Sequence, residues 1–286
     1  MTSNALRAVP PVAPTPSDEF DILPYVDGIG AFLAGTANVI MQLSWPGVGH
    51  GVVESTVDSG KVTLHPIKRF RTTFTYLSVA MLGNADDRFA YREAVNTSHR
   101  AVRSGPDSPV QYNAFDPELQ LWVAACIYYG FVDVEERLHG KLDDATAEGL
   151  YRHCERMGTT LQVRPDMWPA DRAAFEQYWN DGLANVRIDP VVRDYLRGLM
   201  RVSHLPRLIR ITQARLIEFF TTGFLPQPFR DEMQLSWTER DQRRFDRWMR
   251  VIAALNRCLP GPIRRMPFNF FLWDVRRRIR TGRPLV

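Results

Sequence analysis

Two successive helical patterns in the sequence carry side chains that are able to do chemistry. Residues 68–82 show an apolar stripe at helical spacing, and beside it lies a polar stripe of Arg69, Thr72, Thr73 and Tyr76. After a break at Gly83, residues 84–103 continue as a second helix that carries His99 on its apolar side. An arginine, hydroxyl groups and an imidazole on neighbouring helices can meet in one buried site. Packing in the core explains His99 at least as well as ligand binding does, so the residues alone leave both roles open.

Helix-start signals recur along the chain and predict the elements that position these residues. Acidic or hydroxyl caps, some followed by proline, precede apolar stretches, as in Asp116-Pro117-Glu118 and Asp189-Pro190. We find no persuasive strand alternation and no repeat period. We therefore predict an all-α single domain of about ten helices over residues 21–286. The predicted helices cover residues 28–43, 46–55, 66–82, 84–103, 116–140, 143–157, 169–179, 189–200, 207–221, 239–258 and 267–280.

The composition is that of an ordinary globular protein. The 286 residues are 45% hydrophobic and 24% charged, with a formal net charge of +4. The arginine excess is local, between residues 240 and 283, where we favour a solvated face over a phosphate or anionic-membrane patch. We do not expect nucleic-acid binding. The three cysteines are scattered and form no CxxC motif, which argues against a zinc knuckle, a disulfide framework and covalently attached haem.

The N-terminal region raises the question of export and of membrane insertion. Residues 1–20 are proline-rich and lack the apolar core of a signal peptide, so we predict a disordered tail and a cytoplasmic protein. The stretch Gly28–Val53 has no charged side chain and is long enough to span a bilayer. Because Pro46 and Gly47 interrupt it, two short buried helices fit better than a transmembrane segment. Peripheral membrane contact stays open.

The common nucleotide and metal motifs are absent from the sequence. There is no GxGxxG before a helix, no P-loop, no HExxH, no GxSxG and no EF-hand loop. The six histidines are never spaced four apart, and the sequence lacks the ExxH motifs on two helices that a di-iron bundle needs. A cofactor that needs one protein ligand fits better, and haem is held by a single histidine in many proteins. An all-α fold rich in Phe, Trp and Leu can enclose such a flat apolar macrocycle.

Three blocks of sequence, in this order and spacing, carry a family resemblance: RFRTTFTYLSVAMLGN, VNTSHRAVRSG and YNAFDPELQLWVAAC. They resemble the large actinobacterial and fungal family of MpaB-type oxygenases, related to the latex-clearing proteins. QLSWPGVGHGVVEST before these blocks and LPGPIRRMPF after them also match, so the resemblance covers about residues 21–267. It implies an all-helical domain enclosing haem b, which in characterised relatives cleaves carbon–carbon double bonds of isoprenoid chains with dioxygen.

The resemblance also implies roles for single residues. His99 takes the position of the proximal iron ligand, and dioxygen binds opposite it. Arg69 and Thr73 match an R-x-x-x-T pattern on the distal side, as catalytic and haem-contacting groups. Thr72, also facing the haem, stands where latex-clearing proteins carry a lysine able to ligate iron. Glu54 lies in the region of their catalytic carboxylate, but we prefer a surface or capping role for it.

Further positions in the blocks carry weaker implications. Ala124 stands where many relatives have a histidine in a WVHA motif. Near the C-terminus, Arg257, Arg264 and Arg265 could reach haem propionates, although structural ion pairs explain these arginines equally well.

Two functional hypotheses follow from the sequence. The first is a haem b-dependent oxygenase that uses dioxygen on a hydrophobic, isoprenoid-like small molecule. The second is a haem- or lipid-binding protein without oxygenase turnover, which the loss of ionisable groups at Thr72 and Ala124 favours. The substrate, the reductant and the oligomeric state are not determined by the sequence.

Overall fold

Helices form the regular structure of the described chain. A computed structural model describes residues 20–203 and 206–286, and within these ranges it contains no strand, only an isolated bridge between Arg103 and Asn113. The all-α prediction is confirmed, whereas the single-domain boundary at residue 21 stays a prediction. Residues 1–19 of the predicted tail lie outside the described part of the chain. The helices are α1 (Gly28–Leu43), α2 (Pro46–Val53), α3 (Pro66–Leu82), α4 (Ala85–His99), α5 (Pro117–His139), α6 (Asp144–Cys154), α7 (Arg156–Thr159), α8 (Arg172–Leu183), α9 (Pro190–Met200), α10 (Arg207–Phe224), α11 (Gln227–Met233), α12 (Glu239–Arg257), α13 (Gly261–Arg264) and α14 (Phe268–Arg280).

Local capping explains why most helices begin where the sequence predicts. A capping side chain satisfies amide groups that the first turn leaves without an intrahelical partner. Asn84 accepts from the Asp87 amide at 2.8 Å, and Asp87 bonds back to the Asn84 amide, which completes a capping box. Side chains that accept from first-turn amides also begin α1, α5, α6, α8, α9 and α12, namely Asp27, Asp116, Asp143, Asp171, Asp189 and Thr238.

Several predicted boundaries are wrong, and the causes are local. The helix predicted from Pro169 begins at Arg172, because the Asp171 carboxylate accepts from the Ala174 amide at 2.8 Å and acts as the cap. The helix predicted over residues 143–157 is divided at Glu155 into α6 and α7. The second helix ends at Val53, α4 ends at His99, and α11 and α13 were not predicted.

A stack of indole rings joins α5 to the elements around it. Trp122 of α5 is fully buried, and its ring centroid lies 4.6 Å from that of Trp45 and 5.3 Å from that of Trp179. Its indole nitrogen donates to the Met41 carbonyl at 3.1 Å. Close packing requires a glycine in α8, since a Cβ at Gly182 would lie 2.6 Å from the Trp122 ring. Offset aromatic stacks stabilise a core beyond their buried area, so this stack anchors α1, α5 and α8 together.

The uncharged N-terminal stretch folds as two helices rather than one. α1 and α2 are separated at Ser44 and Trp45, just before Pro46, as the sequence predicts. In the described part of the chain, no helix has both the length and the apolar character needed to cross a membrane.

The turn at Gly83 positions the residues of the opening hypothesis. Because only Gly83 and Asn84 connect them, α4 folds back along α3. The Tyr91 hydroxyl of α4 donates to the Thr72 carbonyl of α3 at 2.7 Å and ties the two helices together. The last residue of α4, His99, is thereby brought to the first turns of α3.

Candidate functional site

The side chain of His99 lies at the C-terminal end of α4 and is half-buried. Its Nδ1 atom is buried and has no hydrogen-bond partner, and the ring meets Phe115 edge to face at a centroid distance of 6.2 Å. Burial, and secondly the charge of Arg69, lowers the pKa of His99 to about 4. The imidazole is therefore neutral at neutral pH, which is the form that ligates a metal.

The predicted polar stripe of α3 is exposed only in part. Arg69 and Thr73 are exposed and one helical turn apart. The Thr72 hydroxyl bonds to the Arg69 carbonyl at 3.1 Å, so it is engaged by its own helix. The Arg69 charge lowers the pKa of His99, and it is also among the influences on Tyr195 of α9. Arg69 and His99 thus belong to one electrostatic neighbourhood, and α9 borders it.

Tyr76 of the same stripe turns away from this neighbourhood. Its hydroxyl donates to the Met157 carbonyl, and its ring packs near Tyr91. Burial raises the pKa of Tyr76 far above the ordinary value of a phenol. Tyr76 is therefore a packing and hydrogen-bonding residue at the core.

A second polar group, centred on His50, joins α2 to α9. The buried His50 ring bonds to two carboxylates, through Nδ1 to Glu54 Oε1 at 2.6 Å and through Nε2 to Asp189 Oδ2. The Tyr112 hydroxyl donates to the other Glu54 oxygen at 2.9 Å. Asp189 also caps α9 by accepting from the Val192 amide at 3.2 Å. His50 is therefore a structural link between two helices.

The charges of this group reinforce one another. Burial opposes protonation of His50, but the hydrogen bonds and charges of Asp189 and Glu54 outweigh it and raise the pKa of the imidazole above 6.5. The same contacts overcome the opposing effect of burial and hold the pKa of Glu54 and of Asp189 below their ordinary values. An imidazolium held between two carboxylates is the state that these shifts favour.

The structure revises the interpretation of Glu54 and adds Asp189. Glu54 does end α2, where its amide bonds to the His50 carbonyl at 2.9 Å, but its side chain is also part of the His50 group. The i, i+4 spacing of His50 and Glu54 was a usable signal, since such pairs are neighbours on a helix. Asp189 lies 139 residues from His50, and the sequence identifies it only as a helix cap.

The other positions considered for a haem site are dispersed. Ala124 is fully buried in the core. His65 is exposed at the start of α3, and Lys68 near it is half-buried. Among the described residues, no three His, Cys, Asp or Glu side chains are grouped so that they could hold a metal ion. A haem would not need such a group, because one imidazole suffices, and the neutral His99 with its buried, unpartnered Nδ1 atom fits that requirement.

Comparison with known proteins places this arrangement in a family. Residues 25–254 match the family model described as ER-bound oxygenase mpaB/B'/Rubber oxygenase, catalytic domain. The chain is 51% identical over 254 residues to an uncharacterized protein of Mycobacterium bovis and equally to one of Mycobacterium tuberculosis, covering 89% of this chain and 100% of each relative. No solved structure matches the chain. The predicted resemblance is confirmed: this protein belongs to the mpaB and rubber oxygenase catalytic-domain family.

Proposed function

We propose that this protein is a haem b-dependent oxygenase that holds the iron through His99 and oxidises a hydrophobic, isoprenoid-like substrate with dioxygen. The observation that carries the proposal is the state of His99, an imidazole whose buried Nδ1 atom has no partner and whose pKa of about 4 keeps it neutral. Membership of an oxygenase family supports the reaction class. When bound, haem would supply the activation of dioxygen.

The protein's own contribution begins with the ligand. At neutral pH His99 need not lose a proton before it donates an electron pair, because burial already disfavours the imidazolium. The short connection at Gly83 and the Tyr91–Thr72 hydrogen bond hold α4 against α3. The ligand is therefore carried on a rigid helical pair, which is the kind of support that a precise site requires.

Arg69 and Thr73 supply hydrogen-bond donors on the adjoining face of α3. An arginine has several N–H donors in a fixed fork, suited to an anionic oxygen or a propionate. The Thr73 hydroxyl lies one turn further along and can donate to or order a polar group beside it. We assign both residues to binding and orientation at this face, because neither is buried in the core.

The His50 group positions the neighbouring helix. It fixes the start of α9 to α2 through Asp189, and α9 carries Tyr195, on which the Arg69 charge acts. Both Glu54 oxygens are engaged, one by His50 and one by Tyr112. We therefore assign Glu54 and His50 a positioning role rather than proton transfer to substrate.

The direct test is haem retention by a His99 variant. His99→Gly should lose the haem absorption band and the iron, because the single ligand is removed, while its circular dichroism stays helical. Imidazole added to His99→Gly should restore part of the haem binding. His65→Gly is the matched control at an exposed position and should keep full haem content. An unchanged spectrum and iron content in His99→Gly would disprove the assignment.

The role of Arg69 needs a second variant. Arg69→Ala should keep the fold, since the side chain is exposed, and should lower oxygen-dependent turnover or change cyanide affinity while haem is retained. Loss of haem from Arg69→Ala would instead indicate that the guanidinium anchors a propionate. Lys68→Ala on the preceding residue is the control and should alter neither property.

The alternative is a haem- or lipid-binding protein without turnover. Two observations favour it: Ala124 places only a methyl group in the core, and the Thr72 hydroxyl is bonded within its own helix. Oxygen consumption coupled to loss of an alkene substrate separates the two functions. Haem binding with neither oxygen consumption nor loss of the alkene would support the alternative.

A further inference from the structure

A buried group of polar side chains lies where α1 begins and where α5, α12 and α13 end. Asp27 caps α1 through Oδ1, accepting from Ile29 at 3.0 Å, and its Oδ2 accepts from the Asn256 amide group. Asp27, Glu135 and Asn256 are all at least nine-tenths buried. The His139 Nε2 atom lies 3.7 Å from Asp27 Oδ2 and 4.0 Å from Glu135 Oε2, both beyond hydrogen-bond range.

Four polar atoms of this group have no hydrogen-bond partner. They are Glu135 Oε2, His139 Nε2, Asn256 Oδ1 and Arg264 Nε. A buried polar atom without a partner costs about 1–3 kcal/mol, and proteins rarely leave several together. Such a concentration at the meeting point of four helices requires a partner from outside these side chains, which an ordered water or a ligand supplies.

The unpartnered atoms include more donors than acceptors. The Arg264 Nε atom donates only, and His139 Nε2 donates in one of its neutral tautomers. Burial, and secondly the Asp27 charge, raises the pKa of Glu135 to about 8, so its carboxyl carries a proton at neutral pH and can donate. Of these donors, Arg264 Nε belongs to the residue that also lines the neighbouring cavity, so the ligand atom that complements it is an acceptor oxygen.

An apolar cavity of about 360 Å³ opens beside this group, and Asn256 and Arg264 are in its lining. That volume is within the range of small-molecule pockets. The apolar part of its wall consists of Ile29, Phe32, Leu259, Ile263, Met266 and Pro267. Phe32 is 63% exposed and Ile263 is 55% exposed, so the apolar wall is open to an incoming ligand.

The local charge suits an anion. The Asp27 charge is compensated by the amides of the first turn of α1 and by Asn256. Arg264 is the cationic side chain in the cavity lining. Burial and the charge of Arg264 lower the pKa of His139, and the nearby Asp27 carboxylate opposes them. Arg264 is half-buried, which strengthens a charge-assisted hydrogen bond to an anionic oxygen.

We propose that this cavity binds an apolar molecule with a terminal carboxylate, its head on Arg264 Nε and its chain along the Phe32 and Ile263 wall. The inference does not depend on His99, and it assigns Arg264 to this cavity rather than to a haem propionate. The Phe32 ring nevertheless lies 5.5 Å from that of Phe70, the neighbour of Arg69, so the cavity borders the helix that carries the candidate site.

Titration calorimetry of the full-length protein with dodecanoate, below the concentration at which it forms micelles, tests the proposal. We expect one molecule bound per chain, and at least tenfold weaker binding of dodecyltrimethylammonium, which has the opposite head charge. Equal binding of both amphiphiles would indicate adsorption to the exposed apolar surface alone and would overturn the proposal. Absence of dodecanoate binding would overturn it as well.

Variants separate the head and chain contacts. Arg264→Gln should weaken dodecanoate binding at least tenfold, while Arg265→Gln, the adjacent arginine outside the cavity lining, should stay within about twofold. Ile263→Ser, at an exposed wall position, provides a second measurement if Arg264→Gln fails to fold, and it should weaken binding about fivefold. Unchanged affinity in Ile263→Ser, or in a folded Arg264→Gln, contradicts the assignment.

Discussion

Replacing His50 by glutamine tests the charged link between α2 and α9. The imidazolium donates to Glu54 and to Asp189, whereas a neutral amide provides neither the charge nor both donors in that geometry. A hydrogen bond to a charged group contributes about 1.5–3 kcal/mol. Because the side chains of Glu54 and Asp189 are 28% and 42% exposed, water replaces part of the loss. We expect the free energy of unfolding to fall by about 2 kcal/mol.

The corresponding shift in melting temperature follows from the size of the chain. With an unfolding entropy of about 2.1 cal/mol/K per residue, 286 residues give roughly 600 cal/mol/K. A loss of about 2 kcal/mol then lowers Tm by about 3–4 °C. Differential scanning calorimetry resolves a shift of that size.

The pH dependence has a defined sign. The pKa of His50 is raised in the folded protein, so its contribution is complete below its ordinary value of 6.5 and is lost as the pH rises through the raised value. The lowered pKa values of Glu54 and Asp189 make their contribution complete above their ordinary values of 4.5 and 3.8. It is lost as the pH falls through the lowered values. The difference between wild type and His50→Gln should therefore be largest between these limits, near pH 5.5.

The control is the same substitution at His65, which is exposed at the start of α3. His65→Gln should leave Tm unchanged at pH 5.5 and at pH 9. A His50→Gln shift below about 1 °C at pH 5.5, or one as large at pH 9 as at pH 5.5, would refute the assignment of an imidazolium between two carboxylates.

Two further outcomes are expected from the same structure. Trp122→Ala should lower the free energy of unfolding by about 4 kcal/mol in a urea titration, because the ring is fully buried and stacked with Trp45 and Trp179. The control is Trp248→Ala at a half-exposed position, which should lower it by about 1 kcal/mol or less. Similar losses in the two variants would contradict this packing. If haem is bound as proposed, the ferric protein should be predominantly high-spin by electron paramagnetic resonance, because the Thr72 hydroxyl bonds to its own helix and is a weak ligand. A low-spin signal that changes in Lys68→Ala would show instead that the lysine reaches the iron.

Local interactions account for what could be predicted of the fold. Caps and apolar spacing act within about four residues, so helix starts such as those after Asn84, Asp116 and Asp189 were readable from the sequence. The start of α8 was mistaken because Pro169 and Asp171 both resemble start signals, and only the hydrogen bond to Ala174 distinguishes them.

The sequence by itself determined the all-α class, the helical spacing that carries His99 on α4, and the family blocks. Tertiary structure decided which distant groups meet. His50 and Asp189 are 139 residues apart, and Asp27 and Asn256 are 229 apart, so neither pairing leaves a periodic or capping signal. The burial that keeps His99 neutral likewise depends on how α3, α4 and the loop at Phe115 pack together. Desolvation is a property of the assembled surroundings and not of a residue's neighbours in sequence.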